Sequence, residues 1–337
     1  MRDRLRLLVA ACFYYTGVVH LALWWQQRFR RRLIILNYHR ASGENLRRQL
    51  IYLRTHYRVM HAEAALEEFF RQGKKARGRT GGPLPLVLTF DDGYRDNYTY
   101  AFALARELRM PITIYLIPGY IGNRGHFWWQ EGVRLVQQAD VEKVSVDGHI
   151  FDLQQPDERA HLVKTIDNRA RYARSVAERE TWLARIGQEL KVAPDAPEEE
   201  GSQPLTWEEV RAMEESEWVS FGAHTMHHPL LECLEDPVEL QDEVTRCRHV
   251  LEERLGHPVR SFVYPIGKLE HFGAQGLQAV QAAGYDWALT TVEETITLQA
   301  NPYLLGRVPG DLDQHWLLQA AQLAGLLGIF SRLRKKL

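Results

Sequence analysis

Leu86-Val-Leu-Thr-Phe-Asp-Asp-Gly-Tyr94 is the stretch on which the fold turns. Residues 86–90 form a short apolar run bounded by polar residues, the pattern of a buried strand. Asp91-Asp92-Gly93 follows at once, with a glycine that lets the chain turn sharply. Residues 96–108 read as a helix that ends before Pro111. Ile112-Thr-Ile-Tyr-Leu-Ile117 is a second buried strand, halted by Pro118-Gly119. Strand, helix and strand at this spacing signal a βαβ unit in a parallel sheet. Upstream, Leu33-Ile-Ile-Leu-Asn-Tyr-His39 is another strand and residues 45–57 have helical spacing. Downstream, strands are predicted at 218–222, 261–264 and 287–290, with helices at 237–255 and 275–283 between them. Residues 125–201 break the pattern. They are rich in charge, helical in character over 157–190, and end in Ala193-Pro-Asp-Ala-Pro-Glu-Glu-Glu-Gly201. We read them as an insertion closed by an exposed acidic loop.

The bulk numbers bound the rest. At 337 residues the chain holds one large α/β domain or two small ones. The hydrophobic (45%) and charged (25%) fractions are those of a globular protein. A net charge of −1 excludes the global basic field of a nucleic-acid binder. Cys12, Cys233 and Cys247 are too few and too scattered for a disulfide framework or a cysteine zinc site, and their odd number favours a reducing compartment.

Both ends tend towards membranes. Residues 7–25 lack Asp, Glu, Lys and Arg and approach the ~20 residues of a bilayer span. Arg2, Arg4 and Arg6 precede this stretch, and Arg28, Arg30, Arg31 and Arg32 follow it. Three readings stay open: an interfacial helix, a single-span anchor, and a helix packed on a soluble domain. Bulky Trp24-Trp25 argues against signal cleavage. Tyr14, Tyr15, Trp24 and Trp25 suit the headgroup level. Residues 316–330 are apolar and lead into Ser331-Arg-Leu-Arg-Lys-Lys-Leu337, again the composition of a helix on anionic lipid or of a final packed helix. The expected organisation is a membrane-tending segment at 1–32, a barrel at 33–310 with its insertion, and an amphipathic helix with basic tail at 311–337. The expected location is the cytoplasmic face of a membrane, as a peripheral protein.

The chemistry lies at predicted strand ends, which meet at one face of a parallel barrel. Asp91 and Asp92 are like charges that need a cation or donors to coexist. His224-Thr-Met-His-His228 follows another strand. If this segment opens a helical turn, His224 and His228, four apart, share a face and converge on one ion. His227 then points elsewhere. Catalytic zinc takes three protein ligands and keeps a place for water, a need that two histidines and one carboxylate fill.

Thr89-Phe-Asp-Asp-Gly93 and His224-Thr-x-x-His228 resemble the first two motifs of the polysaccharide deacetylases, the NodB-homology carbohydrate esterases. Phe262-Val-Tyr-Pro-Ile-Gly267 resembles that family's Pro-Tyr-Gly loop, and Gly284-Tyr-Asp-Trp-Ala-Leu-Thr-Thr291 the strand after it. The resemblance runs from about 33 to 309, interrupted by the insertion. It implies a distorted (β/α) barrel that removes an acyl group, usually N-acetyl, from an amino-sugar polymer or a lipid-linked saccharide. It also implies Asp91 as general base, a divalent ion such as Zn²⁺ on Asp92, His224 and His228, and the Ile266 N–H as oxyanion donor. Two departures stand out. Val263 sits where the family often has Arg, and residues 304–311 hold Arg307 where the family often has a Leu-x-His general acid. His39 and His271 are candidate acids, as is water returning its own proton. Arg307 is a candidate to stabilise developing charge or to hold Asp91 ionised. Trp128 and Trp129 are available to stack on sugar rings, to touch lipid, or to pack the insertion. Two other readings remain: a catalytically weakened glycan-binding relative, and an amidase of similar fold acting on a small amide or cyclic imide.

Overall fold

The computed structural model describes residues 2–29, 31–75, 82–122, 126–193 and 201–326. Residues 194–200 of the expected acidic loop and the whole basic tail lie outside them. The chain begins with α1 (Arg2–Tyr15) and α2 (Val18–Phe29). It continues through β1 (Ile34–Tyr38), α3 (Gly43–His56), β2 (Arg58–Met60), α4 (Ala62–Lys75) and β3 (Pro85–Phe90). A π-helical turn, Asn97–Phe102, runs into α5 (Ala103–Leu108) and then β4 (Ile112–Leu116). The insertion comprises α6 (Trp128–Gln137), β5 (Lys143–Val146), β6 (His149–Asp152), α7 (Pro156–Arg171) and α8 (Val176–Glu189). The barrel resumes with α9 (Trp207–Glu214), β7 (Val219–Ala223), α10 (Pro237–Leu255), β8 (Ser261–Val263), α11 (Leu269–Ala282), β9 (Trp287–Leu289), β10 (Val308–Pro309) and α12 (Trp316–Leu323).

The main sheet runs β10-β1-β3-β4-β7-β8-β9, parallel throughout, with β2 beside the first half of β3. It curls until both edges reach one segment. Leu305 bridges to Leu289 of β9, and Val308 pairs with Leu36 of β1. This is the expected α/β barrel, distorted because β10 is only two residues long.

Strand alternation sorts the side chains. Leu86, Leu88 and Phe90 join the large core shared with the surrounding helices. Val87 joins an inner core with Leu33, Ile35, Tyr115, Val263 and Leu289. The period of two places Thr89 and Asp91 on the Val87 side, so the strand's own pleat aims Asp91 into the barrel mouth.

Three sequence expectations change. The 7–25 stretch is two helices that break at Thr16-Gly17, where Gly17 has φ +82, and bend by 67°. No single helix among the described residues is long and apolar enough to cross a membrane. The 157–190 stretch splits into α7 and α8, and the Ser175 side chain caps α8 by accepting from the Glu178 N–H. The insertion also contains the β5–β6 hairpin, which its charged sequence does not announce. The insertion has its own core, in which Phe127, Trp128, Leu162, Ile166 and Ile186 pack with Tyr94 and Ile117 of the barrel.

Gly222 of β7 abuts the inner core. A Cβ there would sit 2.3 Å from the Tyr115 ring. Gly222→Ala is expected to cost roughly 1–3 kcal/mol through overpacking, read as a lower urea midpoint with an unchanged denaturant slope.

Candidate active site

Four strand ends supply the site. β1 leads to His39, β3 to Asp91 and Asp92, β7 to His224, and β8 to the 264–267 loop. Backbone bonds lock the ends in register: the Asp91 N–H donates to Tyr38 O, and the His224 N–H to Leu116 O. Asp92, Thr225, His228 and Ile266 all have positive φ, between 55° and 74°. Non-glycine residues hold such angles at a cost of roughly 1–3 kcal/mol each and cluster at functional sites. The 224–228 segment is therefore a left-handed turn and not the start of a helix. The Thr225 hydroxyl ties it by donating to His224 O (2.6 Å) and accepting from the His228 N–H (2.9 Å). The two imidazoles converge because of this turn and not because of helical spacing.

Asp92, His224 and His228 are buried, with one donor atom from each lying within 4.8 Å of the others. His224 Nδ1 lies 2.7 Å from Val263 O, and a carbonyl can only accept. Nδ1 therefore carries a proton, and Nε2 is the ring atom left to ligate. That Nε2 lies 3.3 Å from Asp92 Oδ1, and His228 Nε2 lies 3.7 Å from the same oxygen. Asp92 Oδ1 has no hydrogen-bond partner among the described residues. A buried carboxylate oxygen without a hydrogen bond, faced by two imidazole nitrogens, is a donor set that fits a metal ion. Burial would push the Asp92 carboxyl up, but the imidazoles of His224, His39 and His228 around it outweigh burial and bring it down to about 2. Burial, with His224 beside it acting the same way, lowers His228 to about 3, which keeps its ring neutral and able to ligate.

Asp91 is neutralised differently. Arg307 grips both its oxygens at 2.8 Å and donates two further hydrogen bonds, to Thr89 Oγ1 and Thr290 O. The guanidinium is wholly buried. Burial acts to raise the Asp91 carboxyl, and Arg307 overcomes this and holds it below the ordinary aspartate range. Of the two roles considered for Arg307, this geometry serves the holding of Asp91. His39 Nε2 stands 3.9 Å from Asp91 Oδ2, with half its side chain exposed (52%). His271 lies in α11, and no contact joins it to either aspartate among the described residues. Ile266 heads a loop pinned by Thr291, whose hydroxyl donates to Ile266 O and whose N–H donates to Gly267 O. No acceptor for the Ile266 N–H occurs among the described residues.

Several supporting residues carry no motif. His227 does turn away from His224 and His228: its N–H and Nδ1 engage the Glu243 carboxylate of α10 at 2.8 and 2.5 Å. Buried Arg179 of α8 donates to His227 O, and Trp128 Nε1 donates to His228 O, each at 3.0 Å. The insertion thus holds the histidine turn by its carbonyls. Trp128 is buried, whereas Trp129 is part-exposed, 4.5 Å from the His228 ring, with its N–H on the Tyr94 hydroxyl. Single polar residues on helices distant in sequence give no local signal, so Glu243 and Arg179 were not legible. A second cluster, His149, Glu158 and His161, is exposed on the insertion and separate from the strand ends.

Comparison with known proteins agrees with this geometry. The family description "Polysaccharide deacetylase" matches residues 78–288, well over half of the chain. A Bacillus subtilis protein assigned to the polysaccharide deacetylases, YxkH, is 29% identical over 156 residues, which are 41% of this chain and 52% of that protein. The chain thus spans about half the length of this curated relative. Among solved structures, IcaB from Ammonifex degensii aligns with a TM-score of 0.56 at 18% identity, covering 88% of this chain and 97% of its own. The Streptococcus pyogenes deacetylase PplD, solved with acetate, aligns with a TM-score of 0.55 at 16% identity, covering 86% and 97%. At these identities the structural likeness establishes the barrel.

Removing Arg307 leaves a buried, unpaired carboxylate. Arg307→Gln is expected to destabilise the protein by roughly 3–5 kcal/mol at neutral pH. In the parent, the stability that the depressed Asp91 carboxyl contributes is present above the ordinary aspartate range and is lost as pH falls through its folded value. In the variant, burial loses its main counterweight and raises Asp91, so acid favours its folded state. The gap between the two should therefore start to narrow above about pH 4, as the variant's Asp91 protonates, and narrow further below it, as the parent's does, measured by urea denaturation across pH. A constant gap would contradict this account of the pair.

Proposed function

The chain belongs to the polysaccharide deacetylase family, and from that premise we propose that it is a divalent-metal-dependent hydrolase removing the N-acetyl group from an amino sugar. The observation that carries the reading is the convergence of His224 Nε2, at 3.3 Å, and His228 Nε2, at 3.7 Å, on the unpartnered Asp92 Oδ1. Two imidazoles and a carboxylate at a buried strand end are the donor set of catalytic zinc. When bound, such an ion supplies Lewis acidity to the acyl oxygen and lowers the pKa of the attacking water.

The chain's own groups complete the reaction. Asp91, kept ionised by Arg307, takes a proton from the water as its oxygen bonds to the acyl carbon. The Ile266 N–H, held in place by Thr291, donates to the oxyanion of the tetrahedral species. A fixed donor of this kind is worth about 3 kcal/mol in other hydrolases. His39, the half-exposed group nearest to Asp91, returns a proton to the amide nitrogen as the C–N bond breaks. The products are a free amine on the sugar and acetate. Trp129, beside His228 and part-exposed, offers a flat face to a sugar ring next to the reacting carbon. A polymer is the substrate class we favour, since the matching family description names polysaccharides and part-exposed Trp129 flanks the site. A lipid-linked saccharide presents the same amide.

Two variants separate the roles of the aspartates and histidines. His228→Ala should lose most bound metal by elemental analysis, and with it acetate release from N-acetylated amino-sugar polymers. Equal metal content in both proteins would rule out the site. Asp91→Asn should keep its metal and lose roughly 10²–10⁴-fold in turnover. If it loses the metal instead, the base and ligand assignments of Asp91 and Asp92 are exchanged.

A further inference from the structure

We propose that the outer face of the α1–α2 pair docks flat on an anionic lipid surface. The two helices put one side on the protein and leave the other bare. Ala10, Val19 and Leu23 are buried, and Tyr14 packs edge-on against Tyr52 of α3 and Trp316 of α12. The opposite side is apolar and exposed. Leu5, Leu8, Cys12 and Tyr15 recur at intervals of three and four along α1, so they form one stripe. Val18, Leu21, Trp25 and Phe29 do the same along α2, with Trp24 alongside. Leu8 is 67% exposed, Leu21 65% and Trp25 52%, which is unusual for so many large apolar groups on adjacent turns.

Charge selects the occupant. Residues 1–32 carry seven arginines and a single acidic residue, Asp3. Arg4 and Arg6 are exposed beside Leu5 and Leu8, and Arg28 stands between Trp25 and Phe29. A basic rim around an apolar, tryptophan-bearing stripe matches the layering of anionic headgroups over acyl chains. A second copy of this face would bring two arginine rims together. The chain's own C-terminal residues 332–336, with two arginines and two lysines among them, would meet the same repulsion. A span is disfavoured by length. Fourteen and twelve residues make helices of about 21 and 18 Å, each short of the ~30 Å hydrocarbon core, and they meet at a 67° bend.

The docking face also leaves the site free. His20 at the start of α2 lies 5.6 Å from His56, at the end of α3. The opposite end of α3 follows the strand end that carries His39.

The test is sedimentation of the full-length protein with vesicles of phosphatidylcholine, with and without anionic phosphatidylglycerol. The protein should pellet with the anionic vesicles and remain in solution with the neutral ones. Leu8→Glu/Leu21→Glu/Trp25→Glu should abolish pelleting while keeping the parent's melting temperature. Arg4→Gln/Arg6→Gln/Arg28→Gln, a milder variant, should weaken it roughly fivefold per arginine removed. Any one of four results would overturn the proposal. These are no pelleting of the parent, equal pelleting of the triple-glutamate variant, a lipid-free dimer that the glutamates dissociate, and retention on the vesicles after alkaline carbonate, which marks a span.

Discussion

Two adjacent carboxylates buried at the end of one strand are the constraint from which the rest of the site follows. Asp91 and Asp92 are 1% and 5% exposed. Neither can stay ionised there without its own source of positive charge. The fold gives one a guanidinium and the other a set of donors that fits a cation. The strand pleat sends Asp91 into the barrel, where Arg307 closes on it with two parallel hydrogen bonds. Asp92, with positive φ, turns the other way, towards His224 and His228. Because the partners differ, one carboxylate is held by a fixed guanidinium and the other is left facing imidazole nitrogens. One is suited to exchange a proton and the other to bind a cation. Curling of the sheet brings the guanidinium to the pair. Arg307 reaches Asp91 only because the segment at 305–309 ties the last strand back to the first.

The strain at the barrel mouth is carried by contacts from outside it. The histidine turn holds two left-handed residues. It is gripped from below by Glu243 through His227, and from the insertion by Arg179 and Trp128. Gly119 lies so close to this turn that a Cβ would sit 2.2 Å from Met226 O. The charged insertion is therefore part of the site's support as well as its rim. Its own core keeps the grip rigid: Phe127 stacks on Trp129 at 4.6 Å, and Trp129 in turn flanks His228.

Much of this was legible in the chain. Alternation and turn residues locate β1, β3, β4, β7, β8 and β9, since each is a short apolar run with a glycine, proline or charged boundary. The Asp91-Asp92-Gly93 and His224…His228 segments stand out because strand-end carboxylates and paired imidazoles are costly unless they share a task. Ser175…Glu178 carries a readable helix start, within a stretch whose charge and spacing read as continuous helix over 157–190. The break at Thr16-Gly17 had its glycine in plain view, but an unbroken apolar composition masked it. β5, β6 and β10 were not legible, because short or charged strands owe their existence to a partner.

The sequence by itself determined the strand order in time, the residue types at each strand end, and the chemistry those types can share. Periodicity and local turn preferences act over a few residues and are written in the chain. Only the tertiary structure decided which charge meets which. Arg307 lies 216 positions from Asp91, and Val263 O must lie beside His224 Nδ1 for Nε2 to be the ring atom left to ligate. Likewise, only packing decided that one side of the N-terminal helices is covered and the other is not. Such pairings depend on sheet curvature and on bonds between distant segments, and no local pattern encodes them.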